Sequence, residues 1–171
     1  MTSISPKKTD RSPEVRKFLE KIVLNAGIGK LSQQPNFEQK ILPQLMNNLS
    51  AMTGQKPELR KAKKSISGFK IREGQIVGLK VTLRRRKMVD FFERVVRIVL
   101  PRVRDFRGLD IPFVDAGGTL NIGFREQLVF PEINPEESSV LFPFGINIVP
   151  RIKNREEAIK EYRRLGVPLK K

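Results

Sequence analysis

Apolar and polar residues alternate most clearly between Ile76 and Arg84. The apolar set is Val77, Leu79, Val81 and Leu83, and the polar set between them is Gly78, Lys80, Thr82 and Arg84. A period of two places successive side chains on opposite faces of a β-strand. The pattern therefore predicts a strand with one apolar face and one face that presents Lys80, Thr82 and Arg84 together. Antiparallel sheets with one solvated face contain strands of this kind.

Shorter segments predict the other strands. Residues 21–25 are rich in β-forming side chains and end before Gly27, and their alternation puts Lys21 and Asn25 on one face. An Asn at the end of a strand is commonly just a turn residue, so Asn25 alone indicates little. Three further segments are strand candidates: 120–124, 127–130 and 146–149.

Helical spacing of apolar residues occurs first between residues 36 and 52, before Gly54, with Pro43 at the start of the helix or at a kink. The predicted inward stripe is Phe37, Ile41, Leu45, Leu49 and Met52.

A last helix is predicted to begin at Asn154, because Glu157 follows three residues later as in a capping box, and to end before Gly166.

A second amphipathic helix is predicted for residues 88–100. Its inward stripe is Met88, Phe91, Phe92, Val95 and Val99. Two ion pairs at the favourable i,i+4 spacing, Asp90–Arg94 and Glu93–Arg97, are expected on its outer side.

Helices and strands are thus interspersed, and the strands alternate instead of being uniformly apolar. We predict an α+β fold: one antiparallel or mixed sheet, helices packed on one face, and the other face open. The length of 171 residues suits one domain with a core. Residues 1–20 are assigned to a short, disordered basic N-terminal arm, and residues 21–171 to the single domain.

The charge of the chain indicates a polyanionic partner. Its net charge is +16 and its pI is about 10.6. Residues 1–110 carry +15 of that charge and residues 111–171 only +1. The stretch 54–87 alone holds twelve Lys and Arg residues against two carboxylates. Because such surfaces repel themselves until a polyanion neutralises them, an open basic sheet face is predicted to bind RNA.

Other classes of function have weaker support. With no His and no Cys, the usual catalytic bases, nucleophiles and thiolate metal ligands are absent, so neither an enzyme nor a cofactor is expected. The segment 27–29 lacks the third glycine of a dinucleotide fingerprint. No membrane partner is expected, because no apolar run reaches the ~20 residues that span a bilayer. A free-standing basic RNA-binding factor, with a carboxylate site as an enzymatic variant, and a peripheral binder of anionic membranes stay as alternatives.

Residues 65–74 are predicted to form a long, exposed, hairpin-like loop. This segment combines two glycines, two hydroxyls and two cations around Phe69. Phe69 is expected either to join the core, which is the commoner place for a loop Phe, or to stack on a base or pack against nucleic acid. Spacing does not decide between these alternatives.

Five segments resemble the bacterial-type large-subunit ribosomal protein L5 family, whose members bind 5S rRNA. They follow the family's order: TGQKP at 53–57, KAKKSISGFKIREG at 61–74, KVTLR at 80–84, LPRVRDFRGL at 100–109 and EQLVFPEI at 126–133. Weaker similarity extends from about residue 21 to residue 168. The resemblance implies a non-enzymatic component of the central protuberance of the large subunit.

The resemblance also implies functional residues and partners. Positions that match the family's RNA-contacting residues are Asn25, Gln55, Thr82 and Arg84, and with the basic residues they give a candidate RNA-binding set: Asn25, Gln55, Lys56, Lys63, Lys64, Lys80, Thr82 and Arg84. The family's loop near P-site tRNA corresponds here to Ser65, Ser67, Gly68, Phe69, Lys70 and Arg72. The implied partners are 5S rRNA, P-site tRNA and a protein of the small-subunit head across an intersubunit bridge, with large-subunit rRNA as a further candidate. A cytoplasmic ribosome is implied, and an organellar one stays open.

Three departures from the family pattern occur. The segment before residue 21 is shorter and more polar than the usual N-terminal helix. The turn at 115–119 lacks the family's Arg. Residues 134–150 diverge most, with an apolar Leu-Phe-Pro-Phe run at 141–144.

Overall fold

One antiparallel sheet of five strands organises the molecule. The computed structural model describes residues 12–136, 138 and 140–170. The strands are β1 (Leu19–Gly27), β2 (Glu58–Lys61), β3 (Ile76–Leu83), β4 (Leu120–Phe124) and β5 (Phe144–Pro150). They lie in the order β2-β3-β1-β5-β4. The helices are α1 (Ser12–Phe18), α2 (Leu42–Thr53), α3 (Arg85–Arg94), α4 (Leu100–Arg102) and α5 (Arg155–Arg164). The predicted α+β class is confirmed, and the sheet is antiparallel throughout.

The predicted alternation of β3 is present in the fold. Leu79, Val81 and Leu83 are each no more than 1% exposed, whereas Lys80 and Thr82 are half-buried on the opposite face. The buried face carries the main core, which the strands share with α2 and α3. Burying a Leu or Val side chain contributes about 1.5–3 kcal/mol, so the register of this strand is strongly specified.

The helix predicted between residues 36 and 52 forms, but its first part is a wide π-helical turn (Phe37–Ile41) that continues into α2. A π turn shifts the phase of the residues that follow it. As a result Leu42 is buried and Ile41 only half-buried, which corrects one position of the predicted stripe. Gly54 ends the helix as expected, with a left-handed φ of 66° that glycine adopts readily.

The helix predicted for residues 88–100 comprises α3, a π-helical turn (Val95–Val99) and α4. All five residues of its predicted stripe are buried. Arg97 pairs with Glu93 at 3.9 Å, as predicted. The predicted Asp90–Arg94 pair is wrong: Asp90 pairs with Arg86 at 3.8 Å, and Arg94 turns to Glu132 and to the Met52 carbonyl at the end of α2.

The strand predicted for residues 127–130 is also wrong. Gln127–Val129 is a single turn of 3₁₀-helix. Pro131 follows and has no N–H for a strand ladder. Gln127 is fully buried and uses its side chain to bind the backbone of another segment. The strand candidates at 120–124 and 146–149 are both confirmed, the second within a longer strand.

The folded domain begins before residue 21. Helix α1 buries Val15 and Phe18, and the Phe18 ring meets Tyr162 of α5 edge-on at 5.0 Å. Residues 12–20 are therefore helix and strand, where a disordered arm was expected. Residues 1–11 of that predicted arm lie outside the described residues.

Helix α5 has the predicted cap. The Asn154 side chain accepts hydrogen bonds from the Glu156 and Glu157 amides at 2.9 and 3.3 Å. Tyr162 is fully buried, and its hydroxyl lies 3.0 Å from the carbonyl oxygens of both Gly118 and Ile148. Burial raises the pKa of the Tyr162 phenol well above its ordinary value, so this group stays protonated and able to donate.

Candidate nucleic-acid interface

The face of the sheet opposite the main core, here called the open face, collects four of the eight predicted RNA-binding residues. In the register of β1 and β3, Asn25 lies opposite Lys80 and Val23 opposite Thr82. Residues directly opposite each other project from the same side of a sheet. Asn25 is exposed, Lys80 and Thr82 are half-buried, and Arg84 is exposed directly after β3. These four residues are brought together as the alternation predicted.

A row of amide side chains extends the open face across β5 and β4. Asn25 donates from Nδ2 to Oδ1 of Asn147 at 2.9 Å, and Asn147 donates from Nδ2 to Oδ1 of Asn121 at 2.5 Å. Sequence reasoning missed Asn121 and Asn147. The signal was present, because each Asn alternates with core residues in a strand that was predicted. These amides give the face hydrogen-bonding groups that carry no charge.

Glycines leave parts of the same face without side chains. Gly27 lies opposite Gly78, and Gly123 opposite Gly145. A Cβ placed on Gly27 or Gly123 would meet nothing within 4 Å. Glycines in strand interiors are found where another backbone or a ligand approaches closely. The open face therefore has flat patches beside its amides and cations.

The cations at one end of the open face are partly neutralised by Glu20. Its carboxylate lies 3.4 Å from the Lys21 ammonium and 3.8 Å from the Arg84 guanidinium. The hydrogen bond and the charge of Lys21 lower the pKa of Glu20, so this carboxylate is ionised at neutral pH. Lys80 makes no ion pair with any described residue. The positive charge of the open face is therefore reduced around Lys21 and Arg84 and not reduced at Lys80.

Gln55 lies next to Thr82 but is engaged in the fold. Its Nε2 donates to the Thr82 carbonyl at 3.1 Å, and its backbone N–H donates to the Thr53 hydroxyl oxygen at 3.3 Å. The Thr53 hydroxyl in turn donates to the Leu49 carbonyl at 2.7 Å. Gln55 therefore holds the turn after α2 against the end of β3, and this second role was not evident from the sequence.

The other predicted cations lie beside this group. Lys56 is exposed in the turn after Gln55, and Lys63 and Lys64 are exposed in the connection that follows β2. Strand β2 is an edge strand with all four residues exposed, and Arg60 pairs there with Glu58 at 3.1 Å. Charged side chains are a usual feature of exposed strand edges. Lys63 and Lys64 thus lie beyond the edge strand β2 and not on the open face.

Residues 65–74 form the predicted exposed hairpin. Ile66 and Ile71 pair across it as an isolated β-bridge, and one 3₁₀ turn, Ser67–Phe69, forms its tip. Ser65, Ser67, Gly68, Lys70 and Arg72 are all exposed. Phe69 is 69% exposed, which excludes its expected alternative place in the core. The alternatives in which Phe69 stacks on a base or packs against nucleic acid stay predictions.

Comparisons with known proteins identify the family of this chain. The model of the C-terminus of the ribosomal L5 family matches residues 76–169, and that of "Ribosomal protein L5" matches residues 16–72. "Large ribosomal subunit protein uL5" of Chlorobaculum tepidum is 46% identical over 153 residues, covering 90% of this chain and 81% of the relative. The protein of that name from Fusobacterium nucleatum gives the same figures. "Large ribosomal subunit protein uL5c" of Gracilaria tenuistipitata is 42% identical over 150 residues, covering 88% of this chain and 82% of the relative.

The two family matches follow each other along the chain and together cover the sheet, α2, α3 and α5. All three alignments with relatives span about nine-tenths of the chain. The family is structural and non-enzymatic, in agreement with the prediction that this chain is not an enzyme. The chain belongs to the ribosomal protein L5 family and is a structural constituent of the large ribosomal subunit.

Proposed function

We propose that this protein binds 5S rRNA in the central protuberance of the large subunit and that the open face is its principal RNA-binding surface. The observation that carries the proposal is the register that puts Asn25 opposite Lys80 on an exposed face beside Thr82. Phosphates would meet the cations, and sugar or base edges would meet the amides and hydroxyls.

The 65–74 hairpin is proposed to approach P-site tRNA. Its exposure and its cations Lys70 and Arg72 support this role.

The last third of the chain, with a charge of only +1, suits contact with a protein of the small-subunit head better than contact with RNA. Large-subunit rRNA is a further candidate partner. The ribosome is cytoplasmic in this proposal, and an organellar ribosome is the alternative.

The open face favours RNA over a membrane surface as partner. Its central residues include amides, glycines, Thr82 and Lys80, which offer hydrogen bonds and positive charge, and Val23 is the apolar residue opposite Thr82. Within the described part of the chain, no helix has the length and apolar character that crossing a membrane requires. The free-standing RNA-binding factor that the sequence left open is excluded, because the chain is a structural constituent of the large ribosomal subunit.

Binding of 5S rRNA by two variants tests the proposal. Thr82→Ala removes a hydroxyl and Lys80→Gln removes a charge from the centre of the open face. We expect both to weaken 5S rRNA binding in a filter assay, and Lys80→Gln to lower the slope of log K against log salt by about 1. Lys160→Gln is the matched control, since Lys160 is exposed on α5. Wild-type affinity in both open-face variants would refute the proposed surface.

A further inference from the structure

A groove lies between helices α1 and α3, away from the open face. Residues of α1 line one side, residues of α3 line the other, and Arg151, directly after β5, completes the described lining. Both helices bury side chains in the main core, so this α1–α3 groove is on the helix side of the sheet. Its volume of about 940 Å³ is in the range of sites that bind ligands.

Four cations and one carboxylate line the α1–α3 groove. The cations are Arg16, Lys17, Arg86 and Arg151, all exposed, and the carboxylate is Asp90. Asp90 lies 3.8 Å from Arg86 and partly neutralises it. Arg16, Lys17 and Arg151 form no ion pair with a described residue. Because these like charges repel each other across the groove, an anionic group that enters it is attracted and removes the repulsion.

Hydrogen bonds at both ends of α1 hold the walls of the groove. At the start of α1, the Ser12 hydroxyl donates to Oε1 of Glu93 on α3 at 3.4 Å. At the end of α1, the Arg151 amide donates to the carbonyl of the buried Phe18 at 2.8 Å. The helix is thus fixed to α3 and to the segment after β5. A groove held in this way needs little ordering when a ligand enters.

The apolar part of the lining favours a peptide over RNA. Val89 is 4% exposed, and Pro13 is exposed on α1. The described lining contains no aromatic ring on which a base could stack. An RNA backbone would therefore satisfy the cations and leave Pro13 and Val89 uncovered. A peptide with carboxylates and one aliphatic side chain would satisfy both parts of the lining.

The residues that precede α1 in the sequence have the wrong charge for this groove. Residues 1–11 contain Lys7, Lys8 and Arg11 against the single carboxylate of Asp10. Like charges oppose the docking of such a segment among the groove cations. An acidic occupant is therefore sought in another protein.

We propose that the α1–α3 groove binds an acidic segment of a partner protein. Its carboxylates pair with Arg16, Lys17 and Arg151, and one aliphatic side chain packs against Pro13 and Val89. Arginine suits this role because its planar guanidinium matches the geometry of a carboxylate. The groove is on the helix side, so the partner leaves the open face free for RNA. The inference goes beyond the proposed function and does not depend on it.

A labelled peptide with four Glu on each side of a single Leu tests the groove by fluorescence anisotropy. We expect wild-type protein to bind this peptide. A peptide with Ser in place of Leu should bind about 5-fold or more weakly, because the aliphatic contact is lost. A peptide with Gln in place of every Glu should not bind. Equal affinity for the Leu and Ser peptides would overturn the proposal, since charge alone would then explain binding.

Two triple variants of equal charge locate the peptide. Arg16→Gln, Lys17→Gln and Arg151→Gln change exposed cations of the groove, so the fold should be kept. We expect this groove variant to bind the peptide at least about 5-fold more weakly, because several exposed ion pairs are lost. The control variant changes exposed cations elsewhere: Lys40→Gln, Lys160→Gln and Arg163→Gln. Equal losses in the two variants would overturn the proposal, because net charge and not the groove would then attract the peptide.

Binding of RNA by the same variants separates a protein partner from RNA. An oligouridylate with the charge of the peptide, and 5S rRNA, should each bind the groove variant as well as the control variant. A greater loss of either RNA in the groove variant would overturn the proposal, in favour of RNA as the occupant. Groove-dependent peptide binding by a protein that does not bind 5S rRNA would support this inference and refute the proposed function.

Discussion

At the scale of single residues, the charge of the open face depends on one carboxylate. Glu20 contacts both Lys21 and Arg84, and its pKa is lowered by Lys21. Its ionised form is present above the lowered pKa, so the partial neutralisation applies at neutral pH and disappears only in acid. Ionised Glu20 therefore opposes a phosphate that approaches Lys21 or Arg84.

Replacing this carboxylate should strengthen RNA binding. We expect Glu20→Gln to raise 5S rRNA affinity about two- to five-fold at low salt, because exposed ion pairs have energies of that order. The gain should shrink as salt screens the charges. A filter-binding titration at several salt concentrations measures both effects.

The control for this variant is Glu161→Gln, which removes the carboxylate that pairs with Arg164 on α5 at 2.8 Å. It adds the same charge to the protein away from the open face. If both variants raised affinity equally, net charge and not the position of Glu20 would control binding.

Residues differ in how far the sequence predicts their place. The period of two was enough to put Lys80 and Thr82 on one face, because strand geometry fixes alternation locally. The contact of Gln55 with the Thr82 carbonyl joins residues 27 positions apart and depends on how the turn after α2 meets β3. Exposure of Phe69 was likewise not predictable, since it depends on the hydrogen bond from Gln33 to the Phe69 carbonyl and the packing of a distant segment.

At the scale of elements, the amphipathic segments were predicted well and the short apolar run at 127–130 was not. A long segment whose apolar residues repeat with a clear helix or strand period indicates one type of secondary structure. A run of four apolar residues is compatible with either a strand or a turn. Gln127 explains the outcome, because its buried side chain holds the backbone at Val140 and Phe142. The π-helical turn before α2 was missed because a widened turn has no simple sequence period.

Truncating Gln127 should destabilise the fold. Gln127→Ala leaves the Val140 carbonyl and the Phe142 amide without their partner, which should cost about 2–4 kcal/mol of unfolding free energy. Urea denaturation followed by circular dichroism measures the loss. Gln39→Ala, at an exposed position, should stay within about 0.5 kcal/mol of wild type. If Gln127→Ala lowered the free energy of unfolding by less than about 0.5 kcal/mol, the 140–142 segment would be held by other contacts.

At the scale of the whole molecule, the distribution of charge follows the architecture. The residues with most of the positive charge build β1, β2, β3 and the 65–74 hairpin, and the near-neutral last third builds β4, β5 and α5. The same chain thus carries a basic part and a weakly charged part. Composition predicted this asymmetry, and the strand order shows that the two parts share one sheet.

The most direct test of the open face compares two triple variants of equal charge. Lys21→Gln, Lys80→Gln and Arg84→Gln remove three charges from the open face, whereas Lys40→Gln, Lys160→Gln and Arg163→Gln remove three from helices. For 5S rRNA, we predict that the first set lowers the slope of log K against log salt by about 2–3 and that the second set leaves it nearly unchanged. Equal slopes for the two sets would contradict the account, because RNA would then respond to net charge and not to the open face of the sheet.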